Sequence, residues 1–369
     1  MAVAAATAVM RRPQWIGGCW LTDVTEKTLL LNIIGKSNGV GLARDLKLLA
    51  AALTGCGHQV RVTAIDATDA KRRRSLLAQW RTRSALALQG LHRTPASPQS
   101  RVDVNLMLEH VWMHHLPSAL HNVVVPNPEW FDAHDRRFLP AVDAVWAKTE
   151  CARDIFRSRG RAVDLIGFDS EDRYDARVPR QRDFLHLPGK STMKGTERLL
   201  RVWAQHPEWP RLTVVQHGAR HDSQRVTAKN IEYRTGYLDD AELRTLQNRC
   251  MFHVCTSLTE GWGHYITEAL SVGAVPITVD AAPMNELVTA DRGLLVPYGR
   301  TGMQRLARTY FFDAAQLARA VVRALGLSET QYDAMSANAR RWFLENRRSF
   351  TDRLQGALRN LRATRPEGR

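Results

Sequence analysis

Two doubly wound α/β domains in tandem are what this sequence predicts, and three observations carry the prediction. The chain has 369 residues, more than the roughly 100–200 of one ordinary domain. From residue 28 it runs strand, glycine-containing turn, helix, strand, the βαβ unit that builds a parallel sheet. After a polar, aperiodic stretch at 169–182 (DSEDRYDARVPRQR), a second alternation of strands and helices begins.

The elements follow from periodicity and punctuation. TLLLNIIG, from residue 28, is an apolar strand, and Leu42, Leu46, Leu49 and Leu53 recur at helical spacing behind it. A strand at 60–65 completes the unit, further strands fall at 102–108, 122–125 and 143–147, and a helix starts behind Thr149 as cap. In the second series strands are expected at 184–188, 212–216, 231–234 and in MFHVCT, with a helix over 196–205. Another helix, capped by Asp239 or Asp240, runs to about 249, and VPITVD at 275–280 is expected as the strand that closes the domain. The end of the chain, RRSFTDRLQGALRNLR, is helical in pattern and long enough to pack back across the first domain. The reading divides the chain into a flexible extension at 1–25, an N-terminal domain at 26–170, a C-terminal domain at 171–345 and a returning helix and tail at 346–369.

Composition fits a soluble globular protein, with 44% hydrophobic and 24% charged residues. The five cysteines are scattered, with no close pair for zinc or redox chemistry, which suits a reducing cytoplasm. MAVAAATAVMRR places its apolar run before its arginines, unlike a secretory signal, and no run approaches the roughly 20 apolar residues of a membrane span. The net charge of +15 comes largely from KRRRSLLAQWRTR at 71–83, from arginines at 153–161 and from the tail. Because Leu76, Leu77 and Trp80 interleave the first cluster, it reads as a basic amphipathic helix lying on the anionic inner face of a membrane. A basic nucleic-acid-binding protein is the alternative that charge alone raises. No stacking signature, helix-turn-helix or zinc-finger spacing accompanies the charge, so nucleic acid is not an expected partner.

The chemistry concentrates in TSLTEGWGHYITEALSVGAVPITVD at 256–280. A strand ends near Thr256, Glu260 follows on a loop, and Gly261-Trp262-Gly263 leads into a helix at about His264. Glycines admit a ligand close to the backbone, and the exposed amides of a helix start attract an anion such as a diphosphate. Glu260 beside that site and Glu268 one turn into the helix would repel phosphates unless they face hydroxyls, which carboxylates accept well.

EGWGHYITEA, with Glu260 and Glu268 separated by seven residues, resembles the E-x7-E signature of the retaining, GT4-like glycosyltransferases of group 1. PGKSTMKGTERLLRVW is similar to that family's basic phosphate-contact segment, and NGVGLARDLKLLAAALTGCGHQV to its N-terminal glycine loop. The resemblance implies the GT-B architecture: two Rossmann-like domains facing a cleft, with a C-terminal helix returning to the first. It implies that Glu268 holds the ribose hydroxyls of a nucleotide-diphosphate sugar and that Glu260 contacts the transferred sugar. Lys190 and Lys194 would neutralise the diphosphate, Lys194 with Glu260 at the reacting centre. Gly39 and Gly41 would bring backbone to the donor, Tyr237 and Leu238 would line the base pocket, and Gly261, Trp262, Gly263 and His264 would form the loop around the phosphates. Arginine is usual in the family at the position of Lys190, and an apolar residue at that of His264. His110, in LMLEHVWMHHLPSALH, stands where the family often places an acceptor-side histidine; a structural histidine is the other reading. His114 and His115 carry no metal reading, since adjacent helical histidines are expected to point apart.

The implied activity is metal-independent sugar transfer with retention, without a cofactor, to a saccharide or lipid-linked acceptor in cell-envelope or surface polysaccharide synthesis. The sequence contains no Asp-x-Asp triplet, the metal anchor of the other large glycosyltransferase architecture. A nucleotide-sugar epimerase or a sugar phosphorylase on the same fold is the rival among enzymes, and a degenerate binding protein the rival outside them.

Overall fold

The computed structural model describes residues 28–36, 40–91, 102–216, 226–236 and 238–363. Its first half comprises β1 (Leu30–Lys36), α1 (Val40–Gly55), β2 (Gln59–Ile65), α2 (Ala67–Arg74), α3 (Leu76–Leu91), β3 (Val102–Glu109), β4 (Ala119–Pro126), α4 (Ala133–Phe138), β5 (Ala144–Ala147), α5 (Glu150–Arg157) and β6 (Val163–Leu165). The strands form one parallel sheet in the order β2-β1-β3-β4-β5-β6. The second half continues with β7 (Gln181–Gly189), α6 (Thr196–Ala204), β8 (Leu212–Gln216), β9 (Ile231–Thr235), α7 (Asp240–Arg249), β10 (Cys250–Cys255), α8 (His264–Ser271), β11 (Val275–Val279), α9 (Met284–Leu287) and β12 (Leu294–Val296). This sheet is also parallel, in the order β12-β11-β10-β7-β8-β9.

Both sheets are covered on both faces, so consecutive strand residues are apolar: Ile33 and Ile34 point to opposite sides and both are buried. Leu46, Leu49 and Leu53 are the stripe with which α1 seals one face. Helix starts are fixed by side chains, with Thr149 Oγ1 accepting from the Ala152 amide and Asp239 from that of Glu242. In each sheet the chain reverses its direction of growth at one place, between β1 and β3 and between β7 and β10. Ligands of open α/β sheets bind beyond the C-terminal strand ends at such switch points.

A hairpin, β13 (Tyr298–Gln304) and β14 (Ala307–Phe312), then precedes α10 (Ala314–Leu325) and α11 (Glu329–Ala363). Helix α11 has 35 residues, about 50 Å of helix. It packs first on the C-terminal sheet, where Ser336 Oγ donates to the Gly273 carbonyl at 2.6 Å. It then crosses to the N-terminal sheet, where Arg353 Nε donates to the Ile166 carbonyl and Asn360 to Asp164, both at 2.7 Å.

Four expectations change. The strand at 275–279 does not close its sheet, because β12 adds one more strand at the edge. The basic stretch 71–83 is two helices divided at Ser75, and Arg73 is drawn off the surface into ion pairs with Asp132 and Asp135. Exposed Leu77 and Trp80, with Lys71, Arg81 and Arg83, remain on its outer side. The stretch 169–182 is no loose tether, since Ser170 and Arg173 are buried and Arg173 is held by Gln247 and Asp240. Finally, the rings of His114 and His115 do not point apart but lie 4.3 Å from each other on a 3-10 turn; burial and His114 hold the His115 imidazole down at about 4. No helix among the described residues is long and apolar enough to cross a membrane. The extension 1–25 lies outside the described residues.

Candidate active site

The two switch points face one another across the cleft. On the C-terminal side, residues 192–195 form a 3-10 turn at the end of β7 that locks onto the loop after β10. The Leu258 amide donates to the Met193 carbonyl, and Thr256 Oγ1 to that of Lys194, both at 2.8 Å. Gly195 allows this, because its φ is +66° and a Cβ there would lie 2.5 Å from the Thr256 carbonyl. The lock brings Lys194 Nζ onto Glu260 Oε1 and 3.9 Å above the Tyr265 ring. Ser257 Oγ donates to the same Glu260 oxygen, so this carboxylate is held from two sides.

Gly263, with φ +94°, turns the chain into α8. The amides of His264 and Tyr265 precede the first bonded amide of α8, that of Ile266, which donates to the Gly263 carbonyl at 2.9 Å. Glu268 follows on the same helix, almost fully buried. Gln247 Nε2 donates to its Oε2 at 2.8 Å, and Arg44, from α1 of the N-terminal half, pairs with its Oε1.

A second contact crosses the cleft beside it. Asp45 of α1 takes Lys148 Nζ on one oxygen and His264 Nε2, at 2.6 Å, on the other. Facing a carboxylate, that imidazole nitrogen carries the proton, and Nδ1 meets Ser170 Oγ at 2.8 Å. Burial alone would raise the Asp45 carboxyl, but Lys148 and His264 overcome it and hold Asp45 at about 2. Lys148 also donates to Asn127 Oδ1 at 3.1 Å and lies 4.6 Å from the Phe168 ring.

The N-terminal wall is built on the ends of β1, β3 and β4. Glu109 ends β3 with φ +65°, a left-handed conformation that a non-glycine residue keeps only where its surroundings impose it. Its carboxylate lies 3.8 Å from Lys36 Nζ and 3.3 Å from His110 Nε2. The other nitrogen of His110 is 2.9 Å from Asp135, so the histidine links a buried acid to one at the cleft. His110, Asp132 and Asp135 come close enough together to suit a metal ion, but the Arg73 guanidinium already bonds all three. Between β4 and α4, Glu129 is buried against the glycine loop, and a Cβ on Gly261 would stand 2.3 Å from Asn127 Oδ1 and 3.0 Å from Glu129 Oε1.

The structure therefore brings Lys194, Glu260, Gly261, Gly263, His264 and Glu268 together, with His110 on the opposite wall. It departs from expectation for some of the others. Trp262 is buried and its indole N–H donates to Ser170 Oγ at 3.2 Å, so its ring packs inside the protein against the stretch that joins the domains. Gly261 gives its close approach to Asn127 and Glu129. Lys190 is exposed at the turn after β7, away from the pairing that Lys194 makes. Leu238 packs beside Leu185, Val215 and Leu246. Gly41 has open space around it in the first turn of α1. Gly39 and Tyr237 lie outside the described residues. Asp45, Arg44, Lys148, Glu109 and Glu129 were missed by sequence reasoning.

Residues 177–342 match the model of the family described as glycosyl transferases group 1. This segment is similar to the group 1 glycosyl transferases. It spans the whole C-terminal sheet, the Lys194 turn and the Glu260 to Glu268 unit. Solved structures extend the likeness to the full fold, which is that of the GT-B glycosyltransferases. A glycosyltransferase from Rickettsia africae aligns over 92% of this chain and 100% of its own, at 13% identity and TM-score 0.65. HepE from Anabaena, in complex with UDP and glucose, covers 90% and 100% at 15% identity and TM-score 0.63. Sucrose-phosphate synthase from Thermosynechococcus elongatus covers 91% and 100% at 14% identity and TM-score 0.62. A comparison with curated proteins gives no match. The segment similar to group 1 glycosyl transferases thus faces the N-terminal domain of a GT-B fold, and the cleft between them is the candidate active site.

Proposed function

We propose that the protein is a retaining, metal-independent glycosyltransferase that moves a sugar from a nucleotide-diphosphate sugar to a saccharide or lipid-linked acceptor. The observation that carries this reading is the unit at the β7 and β10 switch point: Lys194 on Glu260, the open start of α8, and Glu268 buried one turn further on. Cleavage of a nucleotide sugar loads negative charge onto the leaving diphosphate. Fixed amides and one ammonium group in a shielded cleft stabilise that charge without having to reorganise. Glu260, held by Lys194 and Ser257, is positioned to accept from hydroxyls of the transferred sugar. Glu268 is in the same position toward a ribose, with Gln247 already fixing one of its oxygens.

Donor binding on this reading displaces Arg44 from Glu268, so the domains part to admit the nucleotide and close again over it. His110, between Asp135 and Glu109, is the acceptor-side group of this reading. UDP-sugars are the first donors to test, since the similar Anabaena protein was crystallised with UDP and glucose. A role in envelope polysaccharide synthesis at the inner face of a membrane is supported by exposed Leu77 and Trp80 beside Lys71, Arg81 and Arg83.

The test is a panel of UDP-, GDP-, ADP- and CMP-sugars with chelator present, read for sugar release by NMR. One nucleotide class is expected to be consumed and its sugar released with the donor's anomeric configuration. Consumption only with added divalent metal, or release of the inverted sugar, would reject the mechanism. Epimerised donor without sugar release would favour the epimerase.

A further inference from the structure

The N-terminal wall of the cleft is acidic, although the chain as a whole carries a net charge of +15. Glu109 and Glu129 stand there opposite Glu260, and Lys36 and Lys148 are the basic groups beside them. The two acids are not equivalent. Glu109 is matched by Lys36 and by His110. Glu129 is only 6% exposed, and its Oε2 has no hydrogen-bond partner among the described residues. A buried carboxyl oxygen ordinarily has a partner, and an orphan one needs a proton or a ligand to fill the place. Burial pushes the Glu129 carboxyl up to about 7; Glu260 and Glu109 add to the rise, against its own backbone N–H and Lys148. Its other oxygen, Oε1, faces the glycine loop of the other domain, where a Cβ on Gly261 would stand 3.0 Å away, so parting of the domains uncovers the Glu129 carboxyl toward the cleft.

We propose that Glu129, backed by Glu109, is the acceptor subsite, and that it takes an uncharged, hydroxyl-bearing sugar end and rejects sugar acids. This rests on the glycosyl-transfer reading and deepens it. A sugar hydroxyl donating to Oε2 supplies the missing partner, whereas a carboxylate or phosphate at the same place would set a second acid against Glu129, beside Glu109 and Glu260, whose charges Lys36 and Lys194 already take up. The basic outer surface then serves a different part of the substrate, or none, and the reacting end of the acceptor is neutral.

The experiment uses the full chain and paired probes that differ only in the charge of one group: the methyl glycosides of glucose, galactose and mannose against their uronic acids. Binding is titrated by ligand-observed NMR on wild type, Glu129→Gln and Glu129→Ala, with UDP, GDP, ADP and CMP as separate additions. At least one neutral glycoside is expected to bind wild type tenfold or more tighter than its uronate. Glu129→Gln, the isosteric variant that keeps the fold, is expected to shrink that preference to under threefold, and Glu129→Ala to lose the glycoside. Uronates binding as well as their neutral partners, no glycoside binding at all, or an unchanged preference in Glu129→Gln would overturn the proposal. The nucleotide arm separates the two failures. If wild type and variants all bind a nucleotide, only the acceptor assignment falls; if none binds any, the transferase reading itself falls.

Discussion

Replacing Glu129 by glutamine is expected to change how the stability of this protein depends on pH, with a size that the structure sets. The carboxyl rises from an ordinary 4.5 to about 7 on folding, because burial and two neighbouring acids disfavour its charge. At roughly 1.4 kcal/mol per unit, that is about 3 kcal/mol of differential stability. The folded pKa is raised, so the contribution is fully present below about 4.5, is lost as pH climbs toward 7, and is absent above it. Glutamine stays neutral throughout. Glu129→Gln should therefore gain on wild type between pH 5 and pH 8, by about 2–3 kcal/mol. At roughly 2.1 cal/mol/K of unfolding entropy per residue, a chain of 369 residues shifts by a little over 1 °C per kcal/mol, a relative gain of about 3 °C in Tm. The half-buried His115 and the buried His186 and His253, each held down at about 4, also titrate on unfolding. They do so equally in both proteins, and the difference between the two melting curves cancels them. Thermal unfolding at half-unit pH steps reads it. A difference that stays flat from pH 5 to pH 8 would refute the claim that Glu129 is shut in the cleft beside Glu260.

Three further outcomes follow from the geometry. Gly195→Ala places a methyl 2.5 Å from the Thr256 carbonyl at φ +66°, and should cost about 2 kcal/mol or more; because the Lys194 turn is what shifts, turnover should fall further than stability, and equal losses would contradict the lock. Glu286→Ala leaves the amides of Glu150 and Cys151, bonded at 2.6 and 2.8 Å, without their cross-domain acceptor; the expected loss is about 1–3 kcal/mol by denaturant titration, and an unchanged midpoint would show that this contact does not hold the domains. Arg44→Ala strips the buried Glu268 of its cation; stability should fall by about 3 kcal/mol while nucleotide affinity rises several-fold in calorimetry, and weaker nucleotide binding would mean that Arg44 assists the donor instead of competing with it.

The parts of the molecule legible in the sequence were those that local chemistry decides. Leu46, Leu49 and Leu53 recur as a core-facing stripe, Thr149 and the Asp239-Asp240 pair marked helix starts, and glycine at 261 and 263 around Glu260 marked a tight loop into a helix. Lys194 and Glu260 lie 66 positions apart and meet in the fold, and each stood out because it sits in a segment with its own pattern. The acceptor wall had no such pattern. Asp45 meets Lys148 and His264 only once two domains are docked, and nothing in either neighbourhood signals the partner. Glu129 follows an apolar strand in VVVPNPEWF, and its burial depends on Gly261 from the other half. The hairpin at 298–312 was also illegible, because Leu306 is buried against the N-terminal domain, where its amide donates to the Pro128 carbonyl at 3.1 Å. Arg73 failed in the opposite direction, since a run of four basic residues reads as surface until Asp132 and Asp135 arrive from 59 and 62 positions away.

The central claim is that the unit from Lys194 to Glu268 binds a nucleotide diphosphate through protein groups alone. Isothermal calorimetry with UDP, GDP and ADP in the presence of chelator, on wild type, Lys194→Ala and Glu268→Ala, tests it most directly. One nucleotide is expected to bind wild type without metal, Glu268→Ala to weaken it at least tenfold, and Lys194→Ala to weaken the diphosphate far more than the bare nucleoside. Equal binding to all three proteins, or binding to wild type only when a divalent metal is restored, would contradict it.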